Sequence, residues 1–107
     1  MNFSMAELRE LIGGSERKSH SLQIGQAYFV RTVTHYYTGR LVTVTDSDIV
    51  LRDAAWIADT GRFADALKTG TLNEVEPYPD PNIGVVISRG AIVDATIWNH
   101  PLPMEQK

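Results

Sequence analysis

The stretch AYFVRTVTHYYTGRLVTVTDSDIVLRDAAWIA, residues 27–58, decides the fold of this chain. It is rich in aromatic and β-branched residues and has no helical period, which is typical of strands. Two short polar segments interrupt it, Thr38-Gly39-Arg40 and Asp46-Ser47-Asp48, and both have the composition of turns. The sequence therefore predicts a meander of three antiparallel strands.

A short helix is predicted to follow the meander. Asp59 is placed to cap a helix over residues 61–69. Within that helix Phe63 and Leu67 are four residues apart, and Gly70 is placed to end it. The helix is therefore expected to pack one apolar face on the sheet.

Two more strands are predicted near the end of the chain. GVVIS (84–88) and AIVDATIW (91–98) are apolar and β-branched, and Arg89-Gly90 between them predicts a turn in which glycine permits a positive φ. Residues 71–78 predict a strand or an extended segment. In all, the sequence predicts about five strands, and these strands do not alternate with helices along the chain. We therefore expect a mainly β (α+β) fold, a small, strongly bent, antiparallel five-stranded sheet or barrel.

The two ends of the chain have simpler patterns. An N-terminal helix is predicted over 1–14, because Ser4 and Glu7 form a capping box. Residues 15–26 predict a polar linker. The tail, 99–107, holds two prolines that disfavour a helix, so we expect it to be extended and to pack on a partner.

Length and charge limit the function. The chain has 107 residues, with ten Lys plus Arg against thirteen Asp plus Glu, a formal charge of −3. This length predicts a single domain, 1–107, with its β core at 27–98. The negative charge argues against the basic surface of non-specific nucleic-acid binding. We expect no membrane partner, because no apolar run is long enough to span a bilayer.

The sequence shows no pattern of residues typical of an active site. The chain has no cysteine, and His20, His35 and His100 do not have the spacing of a metal site. Asp46 and Asp48 face the same way if they lie on a strand, but the segment around them favours a turn. We therefore expect a protein that is not an enzyme and has no catalytic residues, no metal site and no cofactor.

The string VISRGAIV, residues 86–93, resembles the second sequence motif of the Sm and Sm-like family, in which apolar residues flank Arg-Gly. The order of elements over 27–98 is also similar to that family, with the helix at 61–69 replacing a short link. The resemblance implies an Sm-like barrel and RNA binding. Asp48 stands where the first Sm motif carries a base-stacking Asn, and a carboxylate is unfavourable beside RNA phosphates.

Four blocks of the second half are similar to small proteins of bacteriophages and prophages. The blocks are AAWIADTGRF (54–63), LNEVEP (72–77), RGAIVDA (89–95) and WNHPLPMEQK (98–107). This resemblance implies a phage accessory protein made in the cytoplasm of the bacterial host. It implies no activity for any particular residue.

Aromatic and guanidinium side chains supply the candidate ligand site. An aromatic face beside guanidinium groups suits a nucleotide base and its phosphates. The structural alternative is that Trp56 and Trp98 fill the core or a subunit interface. The candidate ligand-binding residues are Arg31, Trp56, Arg62, Phe63, Arg89 and Gly90.

The predicted positions of the three arginines also support a ligand-binding role. Arg62 is expected in the first turn of the predicted helix, where free N–H groups favour an anion. Arg89 lies at a turn that, in an Sm-like ring, would point towards a pore or an intersubunit site. Arg31 shares one strand face with His35 and Tyr37 by period-two alternation.

Three functions are predicted from these features. The first is a phage protein that assembles as a homo-oligomer and sequesters a small anionic, nucleotide-like ligand, such as a bacterial immune signal, at intersubunit pockets. The second is an Sm-like RNA-binding protein. The third is a structural or host-protein-binding module, which predicts a surface without convergent polar groups.

Overall fold

The computed structural model describes residues 21–107. The helix predicted at 1–14 and residues 15–20 of the predicted linker therefore lie outside the described residues. The described end of the linker is tied to the sheet: the Gly25 amide donates to the Leu41 carbonyl at 2.7 Å, and the Gln23 amide donates to the Tyr28 hydroxyl at 2.8 Å.

Six strands and one short helix follow. The strands are β1 (Ala27–Thr32), β2 (Tyr36–Val44), β3 (Asp48–Asp59), β4 (Glu74–Pro77), β5 (Val85–Ser88) and β6 (Ile92–Ile97). The helix is α1 (Phe63–Thr69), and one 3₁₀ turn, Arg89–Ala91, joins β5 to β6. The mainly β prediction is confirmed. The expected number of five strands is wrong. Residues 71–78, predicted as a strand or an extended segment, contain β4 as a sixth strand.

The strands make one open antiparallel sheet in the order β4-β3-β2-β1-β6, and β5 also pairs with β3. β3 has twelve residues, so its first half pairs with β5 while its second half pairs with β4. Among the described residues no strand pair joins β5 to β6, which are linked only through the 3₁₀ turn. The predicted closed, Sm-like barrel is therefore not the arrangement seen.

The first turn of the meander lies at 33–35, and not at the predicted Thr38-Gly39-Arg40. The Thr32 hydroxyl holds this turn, because it donates to the His35 carbonyl at 2.6 Å and accepts from the His35 amide at 2.9 Å. Gly39 lies inside β2, at a shift in its register with β3. Sequence composition misplaced the turn because Val33 and Thr34 have side chains typical of strands.

A bulge in β3 changes the face on which its apolar side chains lie. Ile49 and Leu51 face one side of the sheet, whereas Ala55 and Ile57 face the other. Asp53 lies between the pairs with φ 51°, a left-handed conformation that a non-glycine residue seldom adopts. An extra residue in one strand shifts the alternation, so a single strand supplies both faces.

The sheet therefore has a core on each face. The helix-side core comprises Ala27, Phe29, Ala55, Ile57, Ala66, Leu72, Val75 and Trp98. The β5-side core comprises Tyr28, Val30, Leu41, Ile49, Leu51, Ala54, Val85 and Ile87. α1 and the tail pack against the first core, and β5 contributes Val85 and Ile87 to the second.

The tail packs on this chain's own helix and sheet. The His100 Nε2–H donates to the Leu67 carbonyl at 2.7 Å, beside the Trp98 ring. Leu102 packs against the helix-side core. At the end of the tail, Lys107 exchanges backbone hydrogen bonds of 3.0 and 3.1 Å with Val75 in β4.

Gly39 has no room for a side chain. A Cβ at this position would lie 2.9 Å from the Leu51 Cβ, which is fully buried. We expect Gly39→Ala to lower the free energy of unfolding by about 1–3 kcal/mol, as overpacked cores do. Chemical denaturation measures this change. Gly90→Ala is the control, because its nearest neighbour is the Ser88 Oγ at 3.7 Å; equal effects of both substitutions would contradict the packing argument.

Thr38 is fully buried, and its hydroxyl has no hydrogen-bond partner within residues 21–107. Removing a buried hydroxyl without a partner removes its desolvation cost. We expect Thr38→Val to raise the free energy of unfolding by about 1 kcal/mol. The exposed Thr43→Val, on the same strand, should change it little. A loss of stability in Thr38→Val would show that the hydroxyl has a partner in solution.

Candidate functional site: an aromatic groove

An open groove lies beside the second half of β3, on the face of the β5-side core. Tyr37, Trp56 and Glu76 are direct neighbours across β2, β3 and β4, so their side chains point the same way. Trp56 is 39% exposed, unlike the buried Trp98. This row of three side chains forms the floor of the groove.

Segments distant in sequence form the walls. The turn after β1 supplies His35, whose ring centroid lies 5.9 Å from that of Trp56 and 6.3 Å from that of Tyr37. The groove has a volume of about 650 Å³. Its lining residues, which define the aromatic groove, are His35, Tyr37, Trp56, Glu76, Pro77, Tyr78, Pro79, Met104 and Gln106.

Backbone hydrogen bonds hold the walls in place. The Tyr78 amide donates to the Ala54 carbonyl at 2.9 Å, which keeps the chain beside β3 after β4 ends. The fixed φ of Pro77 and Pro79 limits the conformations of this segment. The bonds between Lys107 and Val75 hold the end of the tail, so Met104 and Gln106 lie along the groove.

The groove is apolar and carries negative charge. Glu76 is its one charged lining residue in the described part of the chain, and no Lys or Arg lines it there. Two further exposed carboxylates, Asp80 and Glu105, are next in sequence to lining residues, and so is one exposed ammonium group, that of Lys107. A carboxylate in an apolar groove favours a cationic group of a ligand and disfavours an anionic one.

Tyr78 remains a neutral phenol at physiological pH. Burial raises the pKa of this hydroxyl above its ordinary value, and the nearby Tyr37 raises it further. The hydroxyl therefore keeps its proton and can donate a hydrogen bond.

Of the six predicted ligand residues, only Trp56 lines the groove. Phe63 lies on the opposite face of the sheet, where it packs against Phe29 at 5.6 Å between ring centroids. The Arg31 guanidinium carbon lies 4.5 Å from the Phe63 ring centroid, and Arg31 forms an ion pair with Asp94. Arg31 and Phe63 therefore form a separate cluster.

The other three residues have local structural roles or are exposed. Arg62 is the N-cap of α1 and makes no side-chain capping bond. The Arg89 Nη1 donates to the Thr45 carbonyl at 2.7 Å, which ties the 3₁₀ turn to the end of β2. Gly90 lies in this turn without the positive φ that was predicted.

The predicted N-cap and strand face are also corrected. Asp59 does not cap α1; its Oδ1 accepts from the Gly61 amide at 2.8 Å in a local turn, two residues before the helix begins. Arg31, His35 and Tyr37 do not share one strand, because the turn at 33–35 separates them. His35 and Tyr37 still meet in the groove.

Several groove residues were missed from the sequence. Tyr78 stands between two prolines, and this combination of an aromatic ring and a restricted backbone was the available signal. Glu76 lies beside Trp56 only because of the pairing of β3 with β4. Met104 reaches the groove only because the tail folds back on the sheet.

No protein-family model, curated protein or solved structure matches this chain. Within residues 21–107, no group of three or more His, Asp or Glu side chains is placed to hold a metal ion. No helix in that part of the chain has the length and apolar character needed to cross a membrane.

The ion pair at the separate cluster predicts a pH dependence of stability. Hydrogen bonding from Arg31 lowers the pKa of the Asp94 carboxyl below its ordinary value. Because the folded state favours the ionised carboxylate, ionisation adds to the free energy of unfolding. This contribution is fully present above the carboxyl pKa of the unfolded chain, about 3.9, and is lost as the pH falls through the lower pKa of the folded state.

We expect Asp94→Asn to be less stable than the unchanged protein at pH 6, with the difference shrinking towards pH 3. Urea unfolding at both pH values measures it. Asp65→Asn is the control, because the exposed Asp65 in the first turn of α1 has no part in this ion pair. A difference for Asp94→Asn that is the same at both pH values would contradict the role of the carboxylate.

Proposed function

We propose that this chain is a non-enzymatic binding module that holds a short, proline-containing segment of a partner protein in the aromatic groove. The observation that carries the proposal is the half-exposed Trp56 on the floor of an open groove that Tyr37 and Tyr78 also line. This develops the third of the functions predicted from the sequence, a protein-binding module.

The side chains of the groove suit a proline-containing segment. Such segments adopt the extended polyproline II conformation before they bind, so they lose little entropy on docking. Their pyrrolidine rings pack on the flat faces of Trp and Tyr side chains, and the Trp and Tyr hydrogen-bond donors reach the peptide carbonyls. Trp56, Tyr37 and Tyr78 supply both the flat faces and the donors.

The exposure of Trp56 supports a binding role over a packing role. Trp side chains are concentrated at the centres of binding interfaces, where their burial contributes strongly to affinity. Trp56 lies on the same face of the sheet as the β5-side core. It is not one of the buried residues of that core, and 39% of it is exposed.

The charge of the groove favours a peptide over a nucleotide. A phosphate-bearing ligand needs cations beside its base, and the predicted arginines lie outside the groove. Sequestration of an anionic ligand by a phage homo-oligomer, and RNA binding by an Sm-like ring, stay predictions.

Binding is tested with short synthetic peptides that contain two prolines separated by two varied residues. In an NMR titration, we expect the indole N–H signal of Trp56 to shift. The indole of Trp98 is buried and donates to the Pro101 carbonyl, so its signal should stay unchanged. The second indole is therefore an internal control.

The substitution that tests the site is Trp56→Ala. We expect it to weaken binding of such peptides by about tenfold or more, as truncation of a central Trp does. Val86→Ala is the matched control, because Val86 is an exposed apolar residue on β5 outside the groove. Circular dichroism verifies that both variants are folded. If no peptide binds, or if Trp56→Ala binds as the unchanged protein does, the proposal is wrong.

A further inference from the structure

Glu76 has a defined position relative to Trp56. The two residues are direct partners in the pairing of β3 with β4, and both are exposed in the groove. Side chains opposite each other in an antiparallel pair have Cβ atoms about 4.5–5.5 Å apart. A carboxylate therefore lies at the edge of an open indole face.

No Lys or Arg side chain lines the groove beside this carboxylate, and the imidazole of His35 is the one basic group among the lining residues described. The two ion pairs within residues 21–107 join Arg31 to Asp94 and Arg40 to Asp53, and none of these residues lines the groove. Asp80 and Glu105 adjoin lining residues in sequence, as Lys107 does, so carboxylates outnumber ammonium groups at the rim. A cation entering the groove meets negative charge and an aromatic face at the same place.

These two groups favour the same ligand chemistry. The face of an indole ring attracts a cation, and a carboxylate accepts hydrogen bonds from it. A guanidinium group satisfies both at once, because its plane stacks on the ring while its edge donates two parallel hydrogen bonds to the carboxylate. An ammonium group donates to the carboxylate but cannot stack.

We propose that the aromatic groove selects a segment in which an arginine lies close to the proline, with the guanidinium seated between Trp56 and Glu76. This inference rests on the proposed function. It specifies the charge of the partner: the docking segment is basic, and Glu76 contacts its arginine. Salt screens this attraction, so we expect binding of the segment to weaken as the salt concentration rises.

The experiment compares two forms of the best-binding proline peptide, one with arginine beside the proline and one with glutamine in its place. We expect the unchanged protein to bind the arginine form about tenfold more tightly, from the combined cation–π contact and ion pair. Glu76→Gln should reduce this preference to about twofold, while Glu74→Gln should leave it unchanged.

Glu74 is the matched control, because it is exposed on the same strand and has the same charge but does not line the groove. A charge reversal, Glu76→Lys, should invert the preference, so that a peptide with glutamate in place of arginine binds more tightly. Fluorescence anisotropy of labelled peptides measures each affinity, and repetition at high salt should reduce the arginine preference.

The outcomes separate this inference from the proposed function. If the unchanged protein binds arginine and glutamine peptides equally, and Trp56→Ala still abolishes binding, the groove binds peptides but Glu76 does not select arginine. If Glu74→Gln removes the preference as strongly as Glu76→Gln, the selection arises from general charge, and the assigned contact is wrong. If no proline peptide binds in any form, the proposed function itself fails.

Discussion

The structure depends on the change of face within β3. Before the bulge at Asp53, the odd-numbered Ile49 and Leu51 enter the β5-side core; after it, the odd-numbered Ala55 and Ile57 enter the helix-side core. One strand of twelve residues therefore stabilises both faces of the sheet. The same shift decides which residues remain uncovered. Trp56 lies on the face of the β5-side core, beside the second half of β3, where β4 takes the place of β5 as the neighbouring strand. The groove lies on this part of the sheet, and Trp56 is 39% exposed there.

The tail connects the packing of the domain with the shape of the groove. Trp98 completes the helix-side core, and His100 bonds to the last turn of α1, so the tail is fixed to the opposite face of the sheet first. It then follows the edge of β4, where Lys107 pairs with Val75. Along this path Met104 and Gln106 form a wall of the groove. Trp98 is buried and His100 is half-buried, whereas Met104 and Gln106, which line the groove, are exposed. Stability and ligand contact are therefore divided between neighbouring segments of the same tail.

The distribution of charge explains why the groove suits a basic partner. Arg31 is held by Asp94 over the Phe63 ring, and Arg89 is bonded to the Thr45 carbonyl. These cations stabilise connections between distant parts of the chain and lie away from Trp56. The aromatic groove retains Glu76 as its charged group. Trp56 and Arg62 are near each other in sequence but not in the fold. Trp56 lies on the face of the β5-side core, whereas Arg62 begins α1, which packs on the other face.

The sequence by itself determined the local features of this protein. The β-rich composition of 27–58, the turn at Asp46-Ser47-Asp48, and the helix ended by Gly70 all follow from short-range preferences of the backbone and side chains. The tertiary structure alone decided which face each side chain occupies, because a single bulge reverses the alternation on which a sequence-based assignment relies. It also decided that Trp56, Tyr78 and Met104 meet, since their contact depends on the register of β4 and the path of the tail. Strand pairing of this kind is a long-range property, and no local pattern in the sequence encodes it.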